Sequence, residues 1–126
     1  MKRIIIAIVA ILTAFVISFV GYFSVENACK MLEEHLWDIC EVARAEDVTT
    51  AIKKSDDAIV IWEDVHDLIE SFIRHEETDK LEEIIKSLPV YANQGNMERL
   101  EQQADLAIDE LHHLIRNEKP LFSNIF

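Results

Sequence analysis

The sequence predicts an all-α protein: an N-terminal transmembrane helix followed by a small antiparallel bundle of about four helices. Three observations predict it. Ile4 to Phe23 is an apolar run without a single charge. Beyond it, Gly95 is the only glycine and Pro89 and Pro120 the only prolines, too few breakers for β hairpins. The apolar residues of that second part recur every three or four positions, the period of a helix face.

The first element is the span. A hydrocarbon core about 30 Å thick is crossed by about 20 apolar residues, and Ile4 to Phe23 supplies that length. Tyr22 and Phe23 close it where aromatic rings favour the interface. A cleavable signal peptide is the rival reading, but its apolar region is shorter, about 7–15 residues. Cys29 after Ala28 suggests a lipoprotein cleavage box, yet Glu26 stands where that box needs an apolar residue. An uncleaved anchor is the better reading. Lys2 and Arg3 precede the span, whereas Glu26 and only then Lys30 follow it. The positive-inside bias therefore puts the N-terminus in the cytoplasm and the C-terminal domain outside the cell membrane. Residues 1–23 are the anchor and residues 24–126 the domain it carries.

The domain opens with Val25, Cys29, Leu32, Leu36, Ile39 and Ala43, one helix face. No Gly or Pro separates it from Phe23, so the anchor can run straight into it. A second helix is expected from about Thr50 to His75, with Asp47, Thr49 or Thr50 as its cap. Its stripe of Ala58, Ile61, Trp62, Val65, Leu68, Ile69, Phe72 and Ile73 is wide enough to pack on more than one neighbour. Thr78 or Asp79 then caps a short third helix bearing Leu81, Ile84, Ile85 and Leu88, which Pro89 kinks or ends. Asn93-Gln94-Gly95-Asn96 is a loop with Asn96 as a helix cap. The fourth helix carries Met97, Leu100, Ala104, Ala107, Leu111 and Leu114, and Pro120 is expected to end it. The tail from Leu121 to Phe126 is too apolar to stay in water; it packs back on the bundle or docks on a partner.

Charge narrows the function. The chain has a formal charge of −12, and because both Lys2 and Arg3 precede the span, the domain itself carries −14. Nucleic acid is excluded as a partner, since phosphate binding needs a basic face. So acidic a domain also stands off anionic headgroups.

Few constellations suggest chemistry. Glu63-x-x-His66 and Glu110-x-x-His113 have the spacing of di-iron carboxylate bundles, for which Glu33 or Glu34 and Glu82 or Glu83 would complete the set. At 100° per residue, however, Glu63 and His113 lie far from the apolar stripes of their helices. Ligands to a buried metal pair must point inward together, so no buried metal centre is expected. A surface site built from His75, Asp79 and His112 suits zinc chemically, but His75 is better explained as a cation meeting a helix C-terminus. Cys29 and Cys40 are eleven residues apart, about 16 Å along one helix. A disulfide needs Cα atoms within about 7 Å, so they are core residues or cross-links between two chains. There is no nucleophile elbow, phosphate loop or zincin motif, and neither catalytic residues nor a cofactor are expected.

Several marks together resemble a known family. They are the charged start with its single span, Trp62 within a long helix, the stretch Phe72-Ile73-Arg74-His75-Glu76-Glu77, and the ending Asn124-Ile125-Phe126. The whole chain resembles a bacterial family of short, singly anchored helical proteins catalogued as a domain of unknown function. Thr78, where an apolar residue is more usual, and Pro89 depart from that pattern. The resemblance implies the architecture and no activity. The sequence reading is thus a non-enzymatic, membrane-anchored interaction or scaffold module. It meets lipid through residues 4–23 and binds a protein partner or its own copy, with Leu121, Phe122, Ile125 and Phe126 as docking residues. The alternative is a ligand- or metal-sensing bundle acting through a membrane partner.

Overall fold

The computed structural model describes residues 1–71, 73 and 75–125, the side chains of His75 and of residues 117–125 excepted. Among them are four helices and no strand: α1 (Lys2–Arg44), α2 (Val48–Glu70), α3 (His75–Asn93) and α4 (Met97–Ile125). α1 packs on α2 and α4, and α3 packs on the same two from the opposite corner. Short connections force consecutive helices antiparallel, which gives an up-down-up-down bundle.

Its core is built from the stripes read from the sequence, with Val25 half-buried at its edge and Phe72 outside the described residues. Cys29, Leu32, Leu36 and Ile39 from α1 meet Ala58, Trp62 and Ile69 from α2, Leu81, Ile85 and Leu88 from α3, and Leu100, Ile108, Leu111 and Leu114 from α4. Ile61 and Leu68, at the margins of the α2 stripe, are half-buried. The α2 stripe begins earlier than its large residues suggest, with Ala51 and Ser55 fully buried. Thr78 is buried as well and donates a long hydrogen bond to Glu70 Oε1 (3.5 Å).

Two connections use the same device. After α1, Glu46 N–H donates to Ala43 O and Asp47 N–H to Val42 O; after α3, Gly95 N–H donates to Ala92 O and Asn96 N–H to Tyr91 O. These pairs satisfy the last carbonyls of each helix and need a left-handed residue between them. Glu46 (φ 57°) and Gly95 (φ 71°) fill that position. The next residue then caps the following helix: Asp47 accepts from Thr50 N–H and Asn96 from Arg99 N–H. Of the three candidate caps for α2, the structure selects Asp47.

The boundaries differ from the sequence expectation at the α2–α3 turn and at Pro120, and of the two outcomes left open at Pro89 the helix does not end there. α2 ends at Glu70, not near His75, and α3 begins at His75, ahead of the expected caps Thr78 and Asp79. α3 continues through Pro89 to Asn93. A proline removes one amide donor and crowds the preceding turn, but Leu88 and Ala92, both fully buried around it, hold the chain helical. α4 likewise passes Pro120 and reaches Ile125. The loss of one hydrogen bond bends a helix before it stops it.

Candidate functional site

α1 is one unbroken helix of 43 residues, about 65 Å long at 1.5 Å per residue. Its two halves have opposite surroundings. From Ile4 to Ile17 every residue is exposed, and large side chains such as Ile4, Leu12 and Phe19 are each more than half open. From Ala28 to Ala43 the same helix supplies a wall of the core. α1 is the one helix among the described residues long and apolar enough to cross a membrane.

The polar groups near the core tie helices together. His35 Nε2 donates to the Lys54 carbonyl (2.7 Å), joining α1 to α2. Trp62 Nε1 donates to Glu82 Oε1 (3.1 Å), joining α2 to α3. Lys80 meets Glu110 (3.6 Å) between α3 and α4, and Arg44 meets Glu101 (2.6 Å) between α1 and α4. The Glu101 carboxylate, through hydrogen bond and charge, raises the Arg44 pKa above its ordinary value.

The expected site residues fall as follows. His112 Nε2 donates to Glu33 Oε1 (2.6 Å) across the α1–α4 seam, so its observed partner is on α1 and not on α3. Asp79 is exposed on α3, and the side chain of His75 lies outside the described residues. Of the di-iron candidates, Glu63 and His113 are exposed on the outer faces of their helices, and Glu82 serves Trp62. The docking residues Leu121, Phe122 and Ile125 belong to the last turns of α4, with their side chains outside the described residues; Phe126 lies outside them altogether.

One group was not anticipated. The ligand atoms of His66, Asp67 and Glu70 lie within 4.8 Å of one another. His66 Nε2 contacts Glu70 (2.8 Å) and Nδ1 contacts Asp67 (3.2 Å). The His66–Glu70 spacing was legible in the sequence as an i,i+4 pair. The Asp67 side chain is almost wholly in water, and His66 and Glu70 are i,i+4 neighbours on one helix face. Contact between neighbouring surface residues accounts for the arrangement.

Both cysteines are free thiols with almost no exposed surface. Burial, reinforced by the charges of Glu26 and Glu33, pushes the Cys29 thiol up to about 11; burial, then Asp105, does the same to Cys40. Of the two readings left open, core residue or cross-link between chains, the structure supports the first. A depression beside His112, Ile115 and Arg116 is open to solvent.

A family model described as a domain of unknown function, DUF4363, matches residues 19–125. No curated protein and no solved structure matches the chain.

Proposed function

Given that the chain belongs to the DUF4363 family, whose function is unknown, we propose from its own residues that it is a membrane-anchored, extracytoplasmic helical interaction module. The observation that carries this reading is the continuity of α1. One helix passes from a fully exposed apolar stretch into the bundle core. Exposed apolar surface of that length is costly in water and neutral in lipid. A helix without a joint also holds the domain at a set distance and orientation above the bilayer.

Lys2 and Arg3 before the span support a cytoplasmic N-terminus. The partner is a protein or a second copy of the chain, because His35, Trp62, Glu82, Glu33 and His112, the polar groups nearest the core, are engaged in joining helices. The module acts by binding and not by catalysis. Fusing reporters after Phe126, one active only outside the cell and one only inside, tests the topology. An outside signal is expected, followed by cross-linking in intact cells to identify the neighbour. A cytoplasmic signal would reverse the orientation and make the bundle a tethered cytosolic adaptor.

The second reading is a metal-sensing bundle, favoured only by the His66, Asp67 and Glu70 group. It predicts a rise in the unfolding temperature on adding zinc, lost in His66→Ala.

A further inference from the structure

The seam between α1 and α4 has a constant step. Arg44 pairs with Glu101 and Glu33 with His112: eleven residues down α1 are matched by eleven residues up α4. Carried on, the same antiparallel step takes residues 121–125 of α4 to the level of residues 20–24 of α1. α4 is helical to Ile125, so its backbone reaches that level.

Burial along α1 agrees. Residues 4–17 are all exposed, whereas Ser18, Gly21, Tyr22, Ser24, Val25 and Glu26 are half-buried. Ser18, Gly21, Tyr22 and Val25 share one helix face, the face that continues into Cys29, Leu32 and Leu36 of the core, and Ser24 and Glu26 flank it. The bundle's covering of α1 therefore does not stop at the first soluble residue. It extends into the outer end of the span, and it fades where α4 ends.

If Ile4 to Phe23 fills the hydrocarbon, residues 20–23 occupy its outermost 5 Å or so at 1.5 Å per residue. We propose that the last turns of α4, residues 121–125, form a second membrane contact, entering the outer interface beside the span. This rests on the membrane reading of α1 and adds the bilayer as the ligand of the tail. The composition suits that level. Leu121, Phe122, Ile125 and Phe126 make four large apolar residues in six without a charge, and Arg116 and Lys119 precede them at headgroup height. Glu118 and Glu26 stand at the same height, so apolar burial and not charge supplies the attraction. The contact is also shallow. The last carbonyls of a helix need donors, which water and headgroups provide at the interface and hydrocarbon does not.

The test uses the full chain in phosphatidylcholine vesicles, with a nitroxide placed at one introduced cysteine at a time. The native thiols are buried, and the unsubstituted chain should take no label. Leu121→Cys, Phe122→Cys and Ile125→Cys probe the tail, Leu12→Cys the span, and Val90→Cys the aqueous side of the bundle; circular dichroism confirms that each variant is helical. Collisions with oxygen, which concentrates in lipid, are compared with those of a water-soluble nickel chelate. The expected result is a raised oxygen-to-nickel ratio at Leu12 and, to a smaller extent, at one or more tail positions, relative to Val90. A lipid-like Leu12 with all three tail positions water-like would overturn the contact, keep the anchor and return the tail to protein docking. A lipid-like Leu12 with all three tail positions shielded from both reagents would overturn it in favour of packing within the protein. A water-like Leu12 would remove the membrane reading itself, and the tail contact with it.

Discussion

Glu46 and Gly95 occupy the same left-handed step of two equivalent helix connections, one with a side chain and one without. The hydrogen bonds around them match residue for residue, down to Ala51 N–H on Asp47 O and Leu100 N–H on Asn96 O. A Cβ in that conformation costs about 1–2 kcal/mol, which glycine avoids at a smaller entropic cost. Glu46→Gly should stabilise the chain by about 0.5–1 kcal/mol. Gly95→Ala should destabilise it by about 1 kcal/mol for conformational reasons alone, since a Cβ there would meet nothing within 4 Å. Chemical unfolding of the full chain in detergent measures both.

Ser55 offers a second stability test. It is fully buried, and its hydroxyl has no hydrogen-bond partner among the described residues. Leaving such a group unsatisfied costs about 1–3 kcal/mol, and alanine is the better helix former. Ser55→Ala should raise the unfolding midpoint. A fall would mean that the hydroxyl is hydrogen-bonded in solution.

Trp62 fills the centre of the bundle and joins α2 to α3 through Glu82. Trp62→Ala should cost about 3–5 kcal/mol, the range for deleting a large aromatic from a core. Trp62→Phe keeps most of the volume and loses the hydrogen bond, for about 1 kcal/mol. Glu82→Gln keeps the acceptor and should change stability little. The three variants together separate packing from hydrogen bonding.

The cysteines predict a pH dependence. Both thiols are held near 11 in the folded chain, against an ordinary value of 9.0. The unfolded chain therefore releases its thiol protons first, and stability should fall as pH rises from about 9 to about 11. Cys29→Ala with Cys40→Ala should flatten that slope. At neutral pH neither thiol should react with an alkylating reagent until the chain unfolds.

Asp47 acts at the other end of the scale. Its hydrogen bonds from the Thr50 hydroxyl and then from the Thr50 amide hold its carboxyl below the ordinary value. A carboxyl with a lowered folded pKa stabilises the native state above its unfolded value and loses that contribution as pH falls through the folded one. The stability difference between the unsubstituted chain and Asp47→Asn should therefore be largest near neutral pH and shrink as the pH falls, as measured by chemical unfolding followed by circular dichroism at each pH.

Much of this was legible from residues alone because it depends on local spacing. The stripes of α1 and α4, the loop at Gly95 and the Asn96 cap follow from periodicity and turn chemistry. The α2–α3 turn was not legible: Ser71 to Arg74 contains neither Gly nor Pro, and His75-Glu76-Glu77 reads equally well as a helix end or a helix start. Pro120, expected to end α4, misled for the opposite reason: proline is a local signal, and the one hydrogen bond that it removes does not by itself stop a helix.

The sequence by itself determined the helical class, the long apolar run before an acidic domain, and the faces that the helices bury, since each of these is set by residues within a few turns of one another. Only the tertiary structure decided that Glu33 meets His112 from 79 positions away, that Arg44 meets Glu101, and that Asp47 and not a threonine caps α2. Those outcomes depend on how two helices are staggered. Stagger is set by the whole interlocked core, which no short stretch of sequence contains.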